Sequence, residues 1–181
     1  LDRFRSGEAR ILVGTQMIAK GLDFPQVTLV GVVSADTALY LPDFRAAERT
    51  FQLVEQVAGR AGRGERGGRV VVQTTNPHHL SILAAAGHDY KMFADVELDL
   101  RRELGYPPFG HLLRVVVTAP DHNRARRRSN DLARRVLDLP EADALELLGP
   151  VECPLANLQG KARWHLLLKA RDRRPLRAAL H

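Results

Sequence analysis

Short apolar runs alternate with a helical repeat through the first half of the chain. Residues 11–15 (ILVGT), 27–34 (VTLVGVVS) and 69–75 (RVVVQTT) are rich in β-branched and aliphatic side chains. Continuous runs of this kind predict strands of a parallel sheet covered on both faces. Between the second and third runs, Phe44, Ala47, Phe51, Val54 and Ala58 recur at helical spacing. Pro42-Asp43 reads as the start of that helix, with Asp43 as its N-cap, and Gly59, Gly62 and Gly64 end it in a glycine-rich turn. Strands alternating with helices predict an α/β layer structure. Three strands make a thin sheet, so residues upstream of Leu1 are expected to complete it.

Residues 81–104 read as helix, broken near Gly87. Gly105-Tyr106-Pro107-Pro108-Phe109 forbids continuation, and a domain boundary is placed there, giving domains 1–104 and 105–181. Beyond it the pattern predicts a strand over 112–118 and an arginine-rich helix over 121–139, started by Pro120-Asp121. A second strand over 164–169 (WHLLLK) precedes a terminal helix over 175–181. This second part reads as a small α+β unit. There is no internal repeat and no low-complexity segment.

Of the 181 residues, 45% are hydrophobic, enough for one full domain or two small ones. Lys and Arg number 27 against 21 Asp and Glu, a net charge of +6. A basic balance favours a polyanion partner, nucleic acid first, although an arginine-rich solvated surface gives the same count. No apolar run is long enough to cross a bilayer, and the first residues lack a signal-peptide core. A cytoplasmic protein with no membrane partner is expected. Cys153 is the single cysteine, so no disulfide and no cysteine-cluster metal site is expected, and Cys153 reads as a small buried or half-buried apolar residue. His78, His79 and His88 have no ligand spacing with carboxylates or cysteine and receive no role. Residue 1 is not Met and the last helix lacks a C-cap signal, so the chain reads as a piece of a longer protein.

Two segments carry chemistry. Gln56-Val57-Ala58-Gly59-Arg60-Ala61-Gly62-Arg63 places two arginines three residues apart among glycines. Guanidinium groups keep their charge and present a rigid fork of donors to phosphate oxygens, and glycine lets the backbone approach. An arginine aimed at a transferring γ-phosphoryl group stabilises its transition-state charge. The bland alternative is a basic, glycine-rich surface turn. The second segment, GTQMIAKGLDFP over 14–25, follows an expected strand end, where open α/β sheets bind ligands. Thr15 and Gln16 offer hydroxyl and amide donors to a phosphate backbone. Gly21 permits a tight turn and Asp23 suits a ribose hydroxyl. Alone, this is an ordinary polar loop, and its pairing with the arginine segment gives it weight.

These two segments are similar to motifs V and VI of superfamily 2 helicases. The series GTQMIAKGLDFP, ADTALYLPDFRAAERTFQLVEQVAGRAGR (35–63), RRELGYPPF (101–109) and GPVECPLANLQGKARWHLLLKA (149–170) narrows the likeness. Together they resemble the PriA (primosomal protein N′) family of replication-restart DNA helicases over nearly the whole chain. The resemblance implies an ATP-dependent 3′-to-5′ DNA helicase that acts at stalled forks. It implies part of a RecA-like lobe 2 followed by a small α+β C-terminal domain whose last strand falls beyond His181. Arg60, Arg63 and Gln56 then carry catalysis, Gly21, Asp23 and Gly59 the nucleotide, and Thr15 and Gln16 the DNA. ATP and Mg²⁺ would be bound with a first lobe that this sequence lacks, so the piece alone should not hydrolyse ATP. Zinc would belong to a cysteine-rich insertion upstream. The rival reading is a helicase-like DNA-binding or primosome scaffold protein without ATP turnover.

Two further constellations stand outside the motifs. Arg124, Arg126, Arg127, Arg128, Arg134 and Arg135 crowd one helix, with Arg126, Arg127 and Arg134 as candidate contacts to a DNA backbone. A solvated face is the plain alternative. Trp164 with Arg163, Lys169 and Arg171 forms an aromatic–basic cluster. A tryptophan in an apolar strand is usually core, but the resemblance implies a pocket for the acidic tail of single-stranded-DNA-binding protein, with Arg171 beside Trp164. DNA, that protein and other primosome proteins are the expected partners.

Overall fold

The computed structural model describes residues 1–15, 26–59 and 67–180. The fold is mixed α/β, and its contacts divide it into two compact units, Leu1–Ala94 and Asp95–His181. The boundary expected after residue 104 falls at the end of the helix that runs across this division.

In unit 1 a short helix α1 (Asp2–Arg5) precedes strand β1 (Leu29–Val32). Helices α2 (Asp36–Leu39) and α3 (Ala46–Ala58) lead to strand β2 (Arg69–Val72). The strands pair in parallel, Leu29 opposite Arg69 through Val32 opposite Val72, as their β-branched runs predict. Cover on both faces is not observed. Side chains alternate between half-buried and exposed along both strands, so one face packs and the other is open among the described residues. The run 11–15 is likewise no buried strand, with Ile11 81% and Val13 87% exposed. An apolar run becomes a strand only where a neighbouring ladder takes up its N–H and C=O groups, and none among the described residues does so here.

The packed face of the sheet meets α3. Phe51 and Val54 from α3, Ala35, Val32 and Val72 form one cluster with Ile82, Ala84, Ala85 and Phe93. The last four lie on α4 (Leu80–Ala86) and α5 (Tyr90–Glu103), which replace the single broken helix expected over 81–104. The break occupies 87–89, where His88 takes a positive φ of 52°. Helix α3 starts later than Pro42-Asp43 suggests. Its N-cap is Arg45, while the Asp43 carboxylate accepts the Arg45 N–H at 2.9 Å and pairs with Arg49 at 2.9 Å. Asp43 thus forms a local turn ahead of the helix instead of capping it.

Unit 2 has strand β3 (His111–Ala119), helix α6 (His122–Leu137), a 3-10 turn (Ala142–Ala144), strands β4 (Glu146–Leu158) and β5 (Lys161–Ala170), and helix α7 (Arg173–Ala178). The sheet order is β3-β5-β4, antiparallel throughout. Both helices pack on one face, where Val136 of α6 and Leu176 of α7 meet Leu168 and Ala170 of β5. Asp121 caps α6 by accepting the Arg124 N–H at 2.8 Å, as Pro120-Asp121 predicts. The terminal helix begins earlier than Pro175: Asp172 is its N-cap, and Pro175 sits in the first turn, where its missing N–H costs nothing. Strand β4 was not expected at all. Gly149, Pro150 and Pro154 interrupt its pattern, and the structure accommodates them with register shifts between Leu148 and Val151 and between Glu152 and Asn157. An edge strand tolerates proline and bulges in this way.

The GYPPFG turn entering β3 depends on glycine. Gly105 has φ +64°, and a β-carbon at buried Gly110 would overlap the Gly105 carbonyl oxygen. On the sheet face opposite α6 and α7, His165 Nδ1 lies 3.3 Å from the buried Cys153 Sγ, and Arg114 Nη2 lies 3.5 Å from the same ring nitrogen. Burial, followed by the Arg114 and Arg163 charges, holds the His165 pKa below its ordinary 6.5. Cys153 is buried, within the range the sequence allows.

Candidate functional site

Helix α3 presents the first half of the arginine segment. Thr50, Phe51, Val54 and Val57 are its buried residues, and this spacing puts one stripe of the helix into the core. Phe51 stacks on Phe93 with ring centroids 4.5 Å apart. The Glu55 carboxylate meets His88 Nδ1 at 3.1 Å, so the helix is also tied to the α4–α5 break. Gln56 is half-buried near the end of this fixed helix. Gly59 is its C-cap, exposed and still near helical dihedrals, with its N–H bonded to the Glu55 carbonyl at 3.0 Å. Among the described residues, a β-carbon at Gly59 would meet nothing closer than the Glu55 carbonyl oxygen at 3.5 Å. Arg60 and Arg63 lie outside the described residues, as do Gln16, Gly21 and Asp23.

The sheet end that faces this helix is locked by a residue that sequence reasoning missed. Asp36, 7% exposed, accepts from the Thr74 hydroxyl at 2.6 Å and the Thr75 N–H at 2.8 Å. It joins the start of α2 to the segment after β2, and Ala35 bonds the Gln73 carbonyl at 3.0 Å beside it. The Thr74 hydroxyl and then the Thr75 N–H hold the Asp36 carboxyl below its ordinary 3.8. A depressed carboxylate stabilises the fold fully above its unfolded pKa and loses that contribution as pH falls through the folded value. Asp36→Asn should therefore lower the urea midpoint at neutral pH, with the gap to wild type closing in acid below about pH 4. Circular dichroism melts across pH check this, and a gap that does not change with pH would show that charge is not what Asp36 contributes. Nothing in a helical or strand pattern announced this residue. Its only signal was a carboxylate directly after an apolar strand run.

Thr15 is exposed at the end of the extended stretch 11–15, outside any strand. No hydrogen bond to its side chain is seen among the described residues.

In unit 2, α6 buries a stripe of small residues, Ala125, Ser129 and Ala133, together with Val136. That stripe seats the helix closely on the sheet and turns the arginines outward. Arg126, Arg127, Arg128 and Arg135 are exposed and have no ion-pair partner among the described residues. Arg124 pairs with Asp121 at 3.5 Å, and Arg134 pairs with Asp131. Of the three arginines singled out from the sequence, Arg126 and Arg127 thus hold unneutralised charge, whereas Arg134 is partly compensated.

Trp164 and Arg171 are not brought together. Trp164 is half-buried against Ala119, Ala125 and Ala162, where α6 begins, and its indole N–H is buried without an acceptor among the described residues. Arg171 is exposed just beyond the other end of β5. Seven strand positions at about 3.3 Å each separate them by roughly 23 Å, too far to line one small pocket. The expected joint pocket is corrected accordingly, and Trp164 packs as a core residue. A shallow groove of about 490 Å³ does exist on the Arg171 side, lined by Pro107, Pro108, Leu113, Arg173, Leu176 and Arg177 among others. Arg173 and Arg177 were missed because proline, a short helix and scattered basic residues carry no joint signal along the sequence.

Among the described residues no group of His, Cys, Asp and Glu is placed to hold a metal ion. Nor is any helix among them long and apolar enough to cross a membrane.

Comparison with known proteins places these features. The family described as Helicase conserved C-terminal domain matches residues 1–65, and the family described as Primosomal protein N C-terminal domain matches residues 102–181. The Replication restart protein PriA of Bacillus subtilis (strain 168) is 46% identical over 180 residues, covering 99% of this chain and 22% of that protein. Its namesake from Chlamydia trachomatis is 49% identical over 177 residues, covering 95% of this chain and 23% of that protein. The one from Thermotoga maritima is 37% identical over 172 residues, covering 95% and 22%. The chain thus spans under a quarter of the length of these relatives. With two consecutive domain matches and similarity along its whole length to replication restart proteins, the chain belongs to the PriA family.

Proposed function

We propose that this chain is part of an ATP-dependent 3′-to-5′ DNA helicase that acts in replication restart and primosome assembly at stalled forks. The observation that supports the reading is the Gln-x-x-Gly-Arg-x-Gly-Arg sequence, whose first residues, Gln56 to Gly59, end a core-packed helix beside a parallel sheet, in a chain of the PriA family. In this reading Arg60 and Arg63, with Gln56, face the γ-phosphate, and Gly21, Asp23 and Gly59 approach the nucleotide. Thr15 and Gln16 contact the DNA backbone, and Arg126 and Arg127, with Arg134 behind them, extend the contact in unit 2. ATP and Mg²⁺ are assigned to a site completed by residues outside this chain, and zinc to a segment outside it as well. An unwinding assay with the intact protein tests the reading. Duplexes with a 3′ single-stranded flank should be opened and those with only a 5′ flank should not. Activity on neither, or on the 5′ flank alone, contradicts it.

The partner peptide, an acidic tail such as that of single-stranded-DNA-binding protein, is assigned to the groove beside α7. Arg173 and Arg177 supply charge-assisted hydrogen bonds to carboxylates, and Leu113, Leu176 and the two prolines supply an apolar floor. Arg173→Glu/Arg177→Glu should weaken an acidic, aromatic-ended peptide about tenfold or more, as like charges replace attraction. Calorimetry with the peptide decides, and an unchanged affinity places the peptide elsewhere.

A further inference from the structure

The antiparallel sheet of unit 2 turns a basic face away from α6 and α7. Residues paired directly across strands share a face, so the register settles which side chains stand together. Along β5 the buried Ala162, Leu166, Leu168 and Ala170 take the helix side, and Lys161, Arg163 and His165 take the other. Arg114 starts on β3, opposite Leu167, and reaches across β5. Its Nη2 lies 3.5 Å from His165 Nδ1 and 3.8 Å from Cys153 Sγ of β4. Lys161 and Arg163 stand two positions apart on the middle strand, about 6.6 Å, and the Arg114 guanidinium follows beside His165. These three cations form a row. Lys161 and Arg114 are exposed, Arg163 is half-buried, and none has an ion-pair partner among the described residues. The three strands carry two acids, and both are engaged elsewhere. Glu146 pairs with Lys169 at 2.7 Å, whereas Glu152 stands opposite Trp164 on the helix side and meets His122 at 3.0 Å. The Lys169 end of the face is covered by the segment before β3, where the Leu104 carbonyl accepts from Lys169 at 2.9 Å. The row lies toward the other end. Val116 and Val151 flank it, both opposite His165, and are 38% and 50% exposed.

Uncompensated cations in single file suit a polyanion whose charges also run in single file. Two-residue spacing along a strand is close to the pitch of successive phosphates in one extended nucleic-acid strand. A basic track that follows the backbone, bordered by side chains that meet the bases, is the usual design for holding a single strand. A duplex keeps its bases stacked inside and has no use for the flanking valines. We propose that this sheet face binds single-stranded DNA, with Lys161, Arg163 and Arg114 on successive phosphates and Val116 and Val151 against the bases. This rests on the reading of the chain as part of a DNA helicase, and it puts the single strand on the side of the sheet away from the α6 arginines.

The test uses the full chain and a fluorescent oligothymidylate, with binding followed by anisotropy at two salt concentrations. Arg114→Gln/Lys161→Gln/Arg163→Gln should weaken binding about tenfold and flatten the slope of log affinity against log salt concentration by about 0.7 for each lost phosphate contact. Arg114→Lys/Arg163→Lys should stay within about threefold of wild type, since a phosphate also accepts a point charge. Position is read by alkylation of an added cysteine, the native Cys153 being buried. The oligonucleotide should protect Thr118→Cys, opposite Arg163 on the basic face, and not Leu137→Cys at the end of α6. Wild-type affinity in the Gln variant, an equal loss in the Lys variant, or protection of Leu137→Cys alone overturns the proposal and leaves DNA binding by unit 2 standing. A wild-type chain that binds no DNA removes the DNA reading of unit 2 and this proposal together. Protection of Thr118→Cys by an oligoglutamate peptide would then assign the face to an acidic protein.

Discussion

Replacing Arg63 by alanine in the intact protein should abolish DNA-stimulated ATP hydrolysis, with a loss on the order of 10³–10⁵ in rate, the magnitude typical of an arginine that stabilises a transferring phosphoryl group. The loss should fall on kcat more than on nucleotide affinity, because this charge is needed most as negative charge develops in the transition state. Arg60→Ala should do the same or somewhat less. Lysine at either position should fail to restore activity, since a point charge cannot reproduce the planar fork of donors. DNA affinity should largely survive, because Thr15, Gln16 and the α6 arginines lie outside this segment. Up to Gly59, the helix that leads into the segment is fixed by Phe51 on Phe93, by Glu55 on His88 and by its buried stripe. A simultaneous loss of ATPase and DNA affinity in a folded Arg63→Ala protein would mean that the segment serves DNA instead.

The second large effect is expected on α6. Reversing charge at Arg126, Arg127 and Arg134 should weaken DNA binding and flatten its salt dependence. Each lost phosphate contact removes about 0.7 to 0.9 from the slope of log affinity against log salt concentration. The three positions should not contribute equally. Arg126 and Arg127 have no ion-pair partner among the described residues, whereas Arg134 pairs with Asp131. Arg126→Glu/Arg127→Glu should therefore reproduce most of the triple variant's loss, and Arg134→Glu alone should do little. Titrations at two salt concentrations measure both quantities. An unchanged slope in the triple variant would make α6 a solvated face and nothing more.

How far the chain was legible follows from which signals are local. The parallel pairing of β1 with β2, the break between α4 and α5 and the cap of α6 by Asp121 all follow from short-range patterns: β-branched runs, a glycine within a helical repeat, an aspartate before an arginine-rich helix. The misses share a cause as well. Strand β4 is spelled with Gly149, Pro150 and Pro154, which read as breakers until its edge position and bulges are known. The run 11–15 has the composition of a strand, but pairing is a property of neighbours that no local pattern contains. Asp43 sits where a cap belongs and instead turns the chain two residues earlier.

The candidate site divides in the same way. The arginine segment and the loop 14–25 stand out along the sequence because the phosphate chemistry proposed for them would need arginine, glycine and hydroxyl groups at such spacings. Asp36 with Thr74 and Thr75, and Arg173 with Arg177 beside Pro107, are assembled from distant or unpatterned positions, so only the fold reveals them. Trp164 and Arg171 were joined by their nearness along the sequence, and the extended strand between them separates what that nearness suggested.

The most direct test of the account is steady-state ATP hydrolysis by the intact protein with and without saturating forked DNA, measured beside Arg60→Ala and Arg63→Ala. The account predicts hydrolysis that depends on DNA in wild type and is nearly absent in both variants, with nucleotide and DNA affinities largely kept. Wild-type rates in the two alanine variants, or no hydrolysis by wild type under any DNA condition, would contradict it.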